Sequence, residues 1–278
     1  MRLSSAGRIT LALLCLWVLG CLQASASKPS QRILSLAPSL TEIVYAIGCG
    51  DQLVADTTYD DYPAAARRVP HVADLVQVDL ERAALLSPSH ALALHDQEHE
   101  AAALQTRLAI PVTYLPNRGL ADLFLDITAV ADVCRMPQAG EQLSASLRRQ
   151  LAAIAAQTSR RPSHPKVLFL LDLPGFTVGR NSFLNDLIRL AGGVNVAASI
   201  QQPYPNVSAE WLLRVQPDVI IVSRGTPFGI DVRASQPWRS LRAVRMNHVY
   251  RPPSDDVVQR DGPRIVDGLR WLVSVIQR

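Results

Sequence analysis

Residues 95–100, His-Asp-Gln-Glu-His-Glu, bring two histidines and three acids into one short run. On a helix His95 and His99, four apart, would share a face and offer imidazole nitrogens to zinc or a similar cation. No third ligand stands at a matching spacing, and the acids equally suit the first turn of a helix. Asp256 and Arg260, also four apart, read either as a surface ion pair or as an acceptor and donor turned toward a ligand. Tyr59 and Tyr62 flank two acids in a turn that ends at Pro63, and Tyr204 stands alone; each offers a flat apolar face with a hydroxyl. An enzyme using His95, Asp96 or Asp256 as acid or base is a further reading, but no nucleophile–base constellation accompanies them. The Gly-x-Gly-x-x-Gly turn, the Walker loop, the Cys-x-x-Cys pair and the Gly-x-Ser-x-Gly elbow are all missing from the sequence. These side chains therefore suggest capture more than catalysis.

The elements that must position them follow from periodicity. Residues 32–36 are short and apolar before Pro38, as in a buried strand. Ser39 and Glu42 have capping-box spacing, and Leu40, Ile43, Val44 and Ile47 fall on one helical face before Gly48. The alternation continues with strands at 53–55, 90–94 and 111–115 and helices at 79–86 and 98–108. A long helical stretch runs over 121–133 and, past Pro137, over 140–158. Strands at 167–171, 219–222 and 249–250 and helices at 182–191, 209–214 and 263–276 form a second alternation. Alternating short strands and helices imply mainly parallel sheets covered on both faces. The expected architecture is α/β: an N-terminal lobe over 31–137, a linker helix over 138–161 and a C-terminal lobe over 165–278.

Composition narrows the setting. Hydrophobic residues make up 48% of the 278 and charged ones 19%, which excludes a disordered or collagen-like chain. Arg2 and Arg8, the apolar run 9–19 and Ala24-Ser25-Ala26 resemble a secretory leader over residues 1–26. An alternative is a lipobox, Val18-Leu19-Gly20-Cys21, in which Cys21 carries lipid. No later segment has the apolar length of a membrane span. Removing the leader takes two arginines and no acid from the formal +4, so charge gives no support for nucleic acid as a partner. Cys49 and Cys134 remain as an even pair in an oxidising compartment, either bridged or as two buried thiols. Trp211, Trp238 and Trp271 lie in or beside helical segments and are expected to pack within the lobes. Few aromatics are then left for a cleft beyond Tyr59, Tyr62 and Tyr204.

The ordered set Ser35-Leu36-Ala37-Pro38-Ser39-Leu40-Thr41-Glu42, Tyr59-Asp60-Asp61-Tyr62-Pro63, Asp79-Leu80-Glu81, Leu190-Ala191-Gly192-Gly193, Tyr204 to Glu210, and Pro217-Asp218-Val219-Ile220 carries a resemblance over nearly the whole chain. It resembles the periplasmic substrate-binding proteins of cobalamin and ferric-siderophore ABC importers, and among them the cobalamin-binding members most. The resemblance implies two Rossmann-like α/β lobes joined by a single long helix, with ligand in the cleft between them and little hinge closure. It implies a non-enzymatic periplasmic receptor without a cofactor, with cobalamin as cargo, or a ferric siderophore or haem instead. It places Tyr59, Tyr62, Tyr204, Asp256 and Arg260 at the ligand. Leu75 and Leu94 stand there where cobalamin binders have tryptophan. It also implies that Glu81 and Glu210, one per lobe, dock arginines of the membrane permease, the receptor touching the membrane only through that partner or a lipid anchor at Cys21.

Overall fold

The computed structural model describes residues 31–74 and 77–278. The leader, Cys21 and Leu75 lie outside the described residues.

The N-terminal lobe contains β1 (Ile33–Ser35), α1 (Pro38–Ala46), β2 (Leu53–Thr57), β3 (His71–Ala73), α2 (Leu80–Leu86), β4 (His90–Leu94), α3 (Glu98–Leu108) and β5 (Val112–Leu115). The strands form one parallel five-stranded sheet in the order β3-β2-β1-β4-β5. All three residues of β1 are buried, as a central parallel strand covered on both faces requires. Its neighbours β2 and β4 lie on opposite sides, so the chain reverses direction across the sheet between β1 and β4. Such a switch point leaves a crevice at the carboxyl ends of the two strands.

Ser39 and Glu42 do not form the expected capping box. The helix starts at Pro38, its N-cap Ala37 makes no side-chain bond, and both Ser39 and Glu42 are buried. A proline in the first turn has its φ preset and no N–H to satisfy, so this helix begins without that cap. α2 behaves as its sequence suggests, with the Asp79 carboxylate accepting from the Arg82 backbone N–H.

α4 (Leu120–Val133) and α5 (Pro137–Thr158) lead to the second lobe. The second of these is the long helix, 22 residues, about 33 Å at the α-helical rise. It starts at Pro137, again a tolerated first-turn proline, and stops at Thr158, short of the expected 161, before Pro162. The two helices approach closely at Gly140, where an added Cβ would stand 2.5 Å from the Cβ of Ala131. At the other end Thr158 Oγ1 donates to the Leu190 carbonyl at 2.7 Å, tying the long helix to the second lobe.

That lobe contains β6 (Lys166–Asp172), β7 (Phe176–Thr177), α6 (Phe183–Leu190), β8 (Val194–Asn195), α7 (Ala209–Val215), β9 (Val219–Val222), α8 (Ile230–Ala234), α9 (Arg242–Arg245), β10 (Val249–Tyr250), α10 (Asp255–Gln259) and α11 (Ile265–Ile276). Its sheet runs β10-β9-β6-β7, with β8 also pairing β6; only β7 is antiparallel. Asp256 sits on the short helix α10 and Arg260 directly after it. One core cluster holds residues of β1, α4, α5, β6, α6 and α11 together, with Leu147 and Leu151 of the long helix inside it. Trp238 is buried, and Trp211 and Trp271 pack partly buried against these clusters, as expected.

Cys49, just after α1, and Cys134, at the end of α4, are joined in a disulfide with a Cα–Cα distance of 6.2 Å. The bridge spans 85 residues of sequence. Cross-linking a loop of that size restricts the unfolded chain, an effect of about 2–5 kcal/mol. Reduction should lower the denaturant midpoint accordingly in equilibrium unfolding followed by circular dichroism; coincident curves with and without reductant would contradict a stabilising bridge.

Candidate functional site

The carboxyl ends of the strands of both sheets border one crevice. On the first sheet, the residues after β1 (Ala37, Pro38, Ser39) and after β4 (Asp96, Gln97) line a cavity of about 300 Å³ with Leu94. Gln259, Arg260 and Asp261 of the second lobe close it. The switch point of the first sheet is therefore where the lobes meet, as strand order requires. A cavity of about 610 Å³ adjoins it, sharing Gln259, and lies against Leu171 and Asp172 at the end of β6 with Phe176 and Tyr204. A further cavity of about 570 Å³ lies between Arg118 and Asp122 of the first lobe and Arg180 and Asp186 of the second.

Gln97 fixes the switch point. Its side chain accepts from the Leu94 N–H at 3.0 Å and donates to the Leu36 carbonyl at 2.7 Å, joining the ends of β4 and β1. This bracket holds residues 95–97 in a tight 3-10 turn. His95 and His99 therefore do not share one α-helix: His95 is in the turn, its ring stacked on Tyr114 at 6.3 Å, and His99 is in the first turn of α3. Among the described residues no group of three or more His, Cys, Asp or Glu side chains is placed to hold a metal ion.

The three tyrosines are accessible, Tyr59 at 48%, Tyr62 at 46% and Tyr204 at 45%. Tyr204 lines the larger cavity, tilted against Phe176 with centroids 6.4 Å apart. Burial raises its hydroxyl pKa, and the nearby carboxylates Asp261 and Asp96 raise it further, so it sits among acids of both lobes. Tyr59 and Tyr62 flank one end of the crevice instead of lining its cavities. Their turn is held from within by Asp60, whose buried carboxylate accepts from the Thr57 N–H and hydroxyl at 2.9 and 2.5 Å. It is held from without by the second lobe.

That second hold is an ion cluster. Arg260 Nη1 donates to Asp61 Oδ1 at 2.8 Å and to Glu42 Oε1 at 3.2 Å, and its Nη2 donates to the Tyr59 carbonyl at 3.1 Å. The expected pairing of Arg260 with Asp256 is present at 2.9 Å. Both terminal nitrogens of Arg260 are thus engaged by protein acceptors, and the pair joins the lobes as well as bordering the crevice. Arg264 donates Nε to Glu42 Oε2 at 2.9 Å, and its guanidinium lies 4.1 Å from the Tyr62 ring centroid. Burial works against charge on both arginines, but hydrogen bonds to Asp61 and Glu42 carry their pKa values upward. Sequence reasoning missed Glu42, Arg264 and Gln97. The first was read as a local cap, and an interlobe partner leaves no short-range spacing to detect.

The crevice floor is acidic. Asp126 on α4 is buried, and its Oδ1 has no hydrogen-bond partner among the described residues. Burial, then Asp261 and Asp122, push its pKa to about 8. Asp261 is raised too, chiefly by burial, with Asp96 and Asp122 adding to the shift. Asp122 is balanced by Arg118, whose N–H and Nε donate to it at 3.0 and 3.2 Å.

Glu81 and Glu210 are exposed on matched short helices, one in each lobe. Each helix has seven residues, an N-cap side chain accepting from the third helical N–H, the glutamate at its second position, and a left-handed residue at its end. A hydrogen bond from Ser208 lowers the Glu210 pKa. Leu94 is half-buried at the crevice, and Leu75 lies outside the described residues.

Comparison with known proteins follows this geometry. Residues 33–255 match the model of a periplasmic binding protein family. A vitamin B12-binding protein of Vibrio parahaemolyticus is 30% identical over 247 residues, 88% of each chain. The crystal structure of the periplasmic vitamin B12 binding protein BtuF of Vibrio cholerae superposes with a TM-score of 0.75 at 28% identity, covering 90% of this chain and 97% of that one. The periplasmic heme-binding protein RhuT of Roseiflexus sp. RS-1 superposes with a TM-score of 0.77 at 26% identity, covering 89% and 98%.

The raised pKa of Asp126 fixes the sign of a pH effect. Its unfolded value is near 4, so between about pH 4 and pH 8 unfolding releases a proton and stability falls as pH rises. Asp126→Asn removes that slope. The variant should gain thermal stability over the parent at pH 8 and less or none at pH 5, measured by paired melts; an equal difference at both pH values would contradict a protonated Asp126.

Proposed function

We propose that this chain, which belongs to the periplasmic binding protein family, captures a corrinoid, with cobalamin as cargo, and delivers it to an ABC importer. The family is one of binding proteins and not of enzymes. The leader supports export, either by cleavage after Ala26 or with Cys21 lipidated, and both leave the receptor facing the periplasm. The supporting observation is the chemistry of the crevice, where Asp96, Asp172, Asp255 and Asp261 stand between Tyr204, Phe176 and Leu94. A flat ring packs on the apolar faces, and a fringe of amide N–H donors, as a corrin carries, finds acceptors in the carboxylates. A haem brings carboxylates of its own, which these acids repel. The names of the relatives point the same way.

A haem or a ferric siderophore is the alternative cargo. In favour of it, RhuT is a heme-binding neighbour, and Arg180 stands in the third cavity as a cation for an anionic ligand, beside an Arg118 already paired with Asp122. Tyr59 and Tyr62 meet the cargo at one end of the crevice, and Asp256 and Arg260 border it. Glu81 and Glu210, exposed at matched positions of one short helix in each lobe, each offer a carboxylate to an arginine of the permease.

Titration with cyanocobalamin, followed by quenching of protein fluorescence and by the corrin bands retained after gel filtration, should show saturable binding at micromolar ligand or below; retention of haem instead would move the proposal to the alternative. The double variant Glu81→Lys, Glu210→Lys should lose capture by the permease in detergent or nanodiscs while keeping the ligand affinity of the parent, and a parallel loss of ligand affinity would remove the docking role.

A further inference from the structure

Glu42 is assigned no part by the proposed function, yet its surroundings are unlike those of any other acid described in the chain. Its side chain is 1% exposed, and it lies on the helix that follows β1, whose first residues, Pro38 and Ser39, line the switch-point cavity. Its carboxylate makes hydrogen bonds to Arg260 and Arg264 of the opposite lobe. The backbone between those arginines wraps tightly around it: a Cβ added at Gly262 would stand 3.2 Å from Glu42 Oε2. A carboxylate withdrawn from water this far is stable only with such compensation, and removing one partner leaves the others uncompensated.

The two arginines that neutralise Glu42 are also the two that touch the tyrosine turn. Arg260 holds the Tyr59 carbonyl and Asp61, and Arg264 lies over the Tyr62 ring. Each arginine therefore has one hand on Glu42 and the other on the turn. We propose that Glu42 is the positioning residue of the cleft, fixing Tyr59 and Tyr62 through Arg260 and Arg264 before any ligand arrives. This rests on the reading that these tyrosines meet the cargo. Its consequence is affinity gained by ordering two aromatic side chains in advance, because a ligand that must order them on arrival binds more weakly.

Glu42→Gln keeps the shape and one acceptor but removes the charge. Its cyanocobalamin affinity should fall about tenfold, the order expected when two side chains lose their preorganisation. In a Tyr59→Ala, Tyr62→Ala background the same change should cost less than about twofold, since there is nothing left to position. An equal loss in both backgrounds, or none in the first, would overturn the proposal. If Glu42→Gln does not fold, Arg264→Met, which releases Tyr62 and spares the Glu42–Arg260 contact, takes its place in the same cycle with the same outcomes. A ligand-free measurement separates this idea from the identity of the cargo. With 3-fluorotyrosine incorporated and Tyr45→Phe made in parent and variant alike, because Tyr45 shares the helix of Glu42, the fluorine resonances of Tyr59 and Tyr62 should shift and broaden in Glu42→Gln while those of Tyr114, Tyr204 and Tyr250 stay in place. Unchanged Tyr59 and Tyr62 signals, or an equal disturbance of all, would overturn the positioning role even where cyanocobalamin binds; movement of those two alone supports it even if cyanocobalamin does not.

Discussion

A carboxylate buried beneath a parallel sheet's switch point has to be neutralised by whatever lies across the crevice, and in this chain the neutralising charge comes from the other lobe. Glu42 meets Arg260 and Arg264, and Asp61 and Asp256 also pair with Arg260, so that three carboxylates surround two guanidiniums. Separating the lobes would expose uncompensated charges in a partly dry environment, which is costly. The long helix Pro137–Thr158 and the shared core resist the same motion from behind. The two lobes are thus joined at the spine by apolar packing and across the cleft by ions. These two joints hold the sides of the crevice against each other in the ligand-free chain.

The position of the crevice follows from topology alone. Parallel strands present their carboxyl ends on one side, and the reversal between β1 and β4 opens a gap there. The second sheet brings the end of β6 to face it. The lining of this crevice has few aromatics and many carboxylates, of which Asp261 is pushed toward the protonated state chiefly by burial, with Asp96 and Asp122 adding to the shift. Such a surface suits a neutral or cationic cargo rich in donors.

Most of the architecture was legible in the sequence because it rests on local patterns. The strand over 90–94, the helix over 98–108 and the strand over 219–222 appear where apolar runs and periodicity put them, and Asp79 and Ser208 cap their helices as their residue types suggest. The strands His71–Ala73, Phe176–Thr177 and Val194–Asn195 were not legible, since each mixes a polar residue into only two or three positions and so shows neither an apolar run nor a period. Tyr59 and Tyr62 were singled out by their type and by a turn after a strand, and Tyr204 by the resemblance. The network around them was hidden for a physical reason. Glu42 and Arg264 are 222 residues apart, and the same Ser-x-x-Glu spacing that makes a cap elsewhere is overridden here by Pro38 and by the opposite lobe's charge. The tight turn at His95–Gln97 was hidden as well, because the Gln97 side chain that holds it bonds to the end of a distant strand.

Whether the lobes are locked across the cleft is tested most directly by the distance between them. Spin labels at Leu85 and Ile230, both exposed and on different lobes, report it by double electron–electron resonance. A locked cleft predicts a narrow distance distribution in the ligand-free protein that keeps its position when cyanocobalamin is added. A broad ligand-free distribution, or a shift to shorter distances on adding ligand, would contradict it.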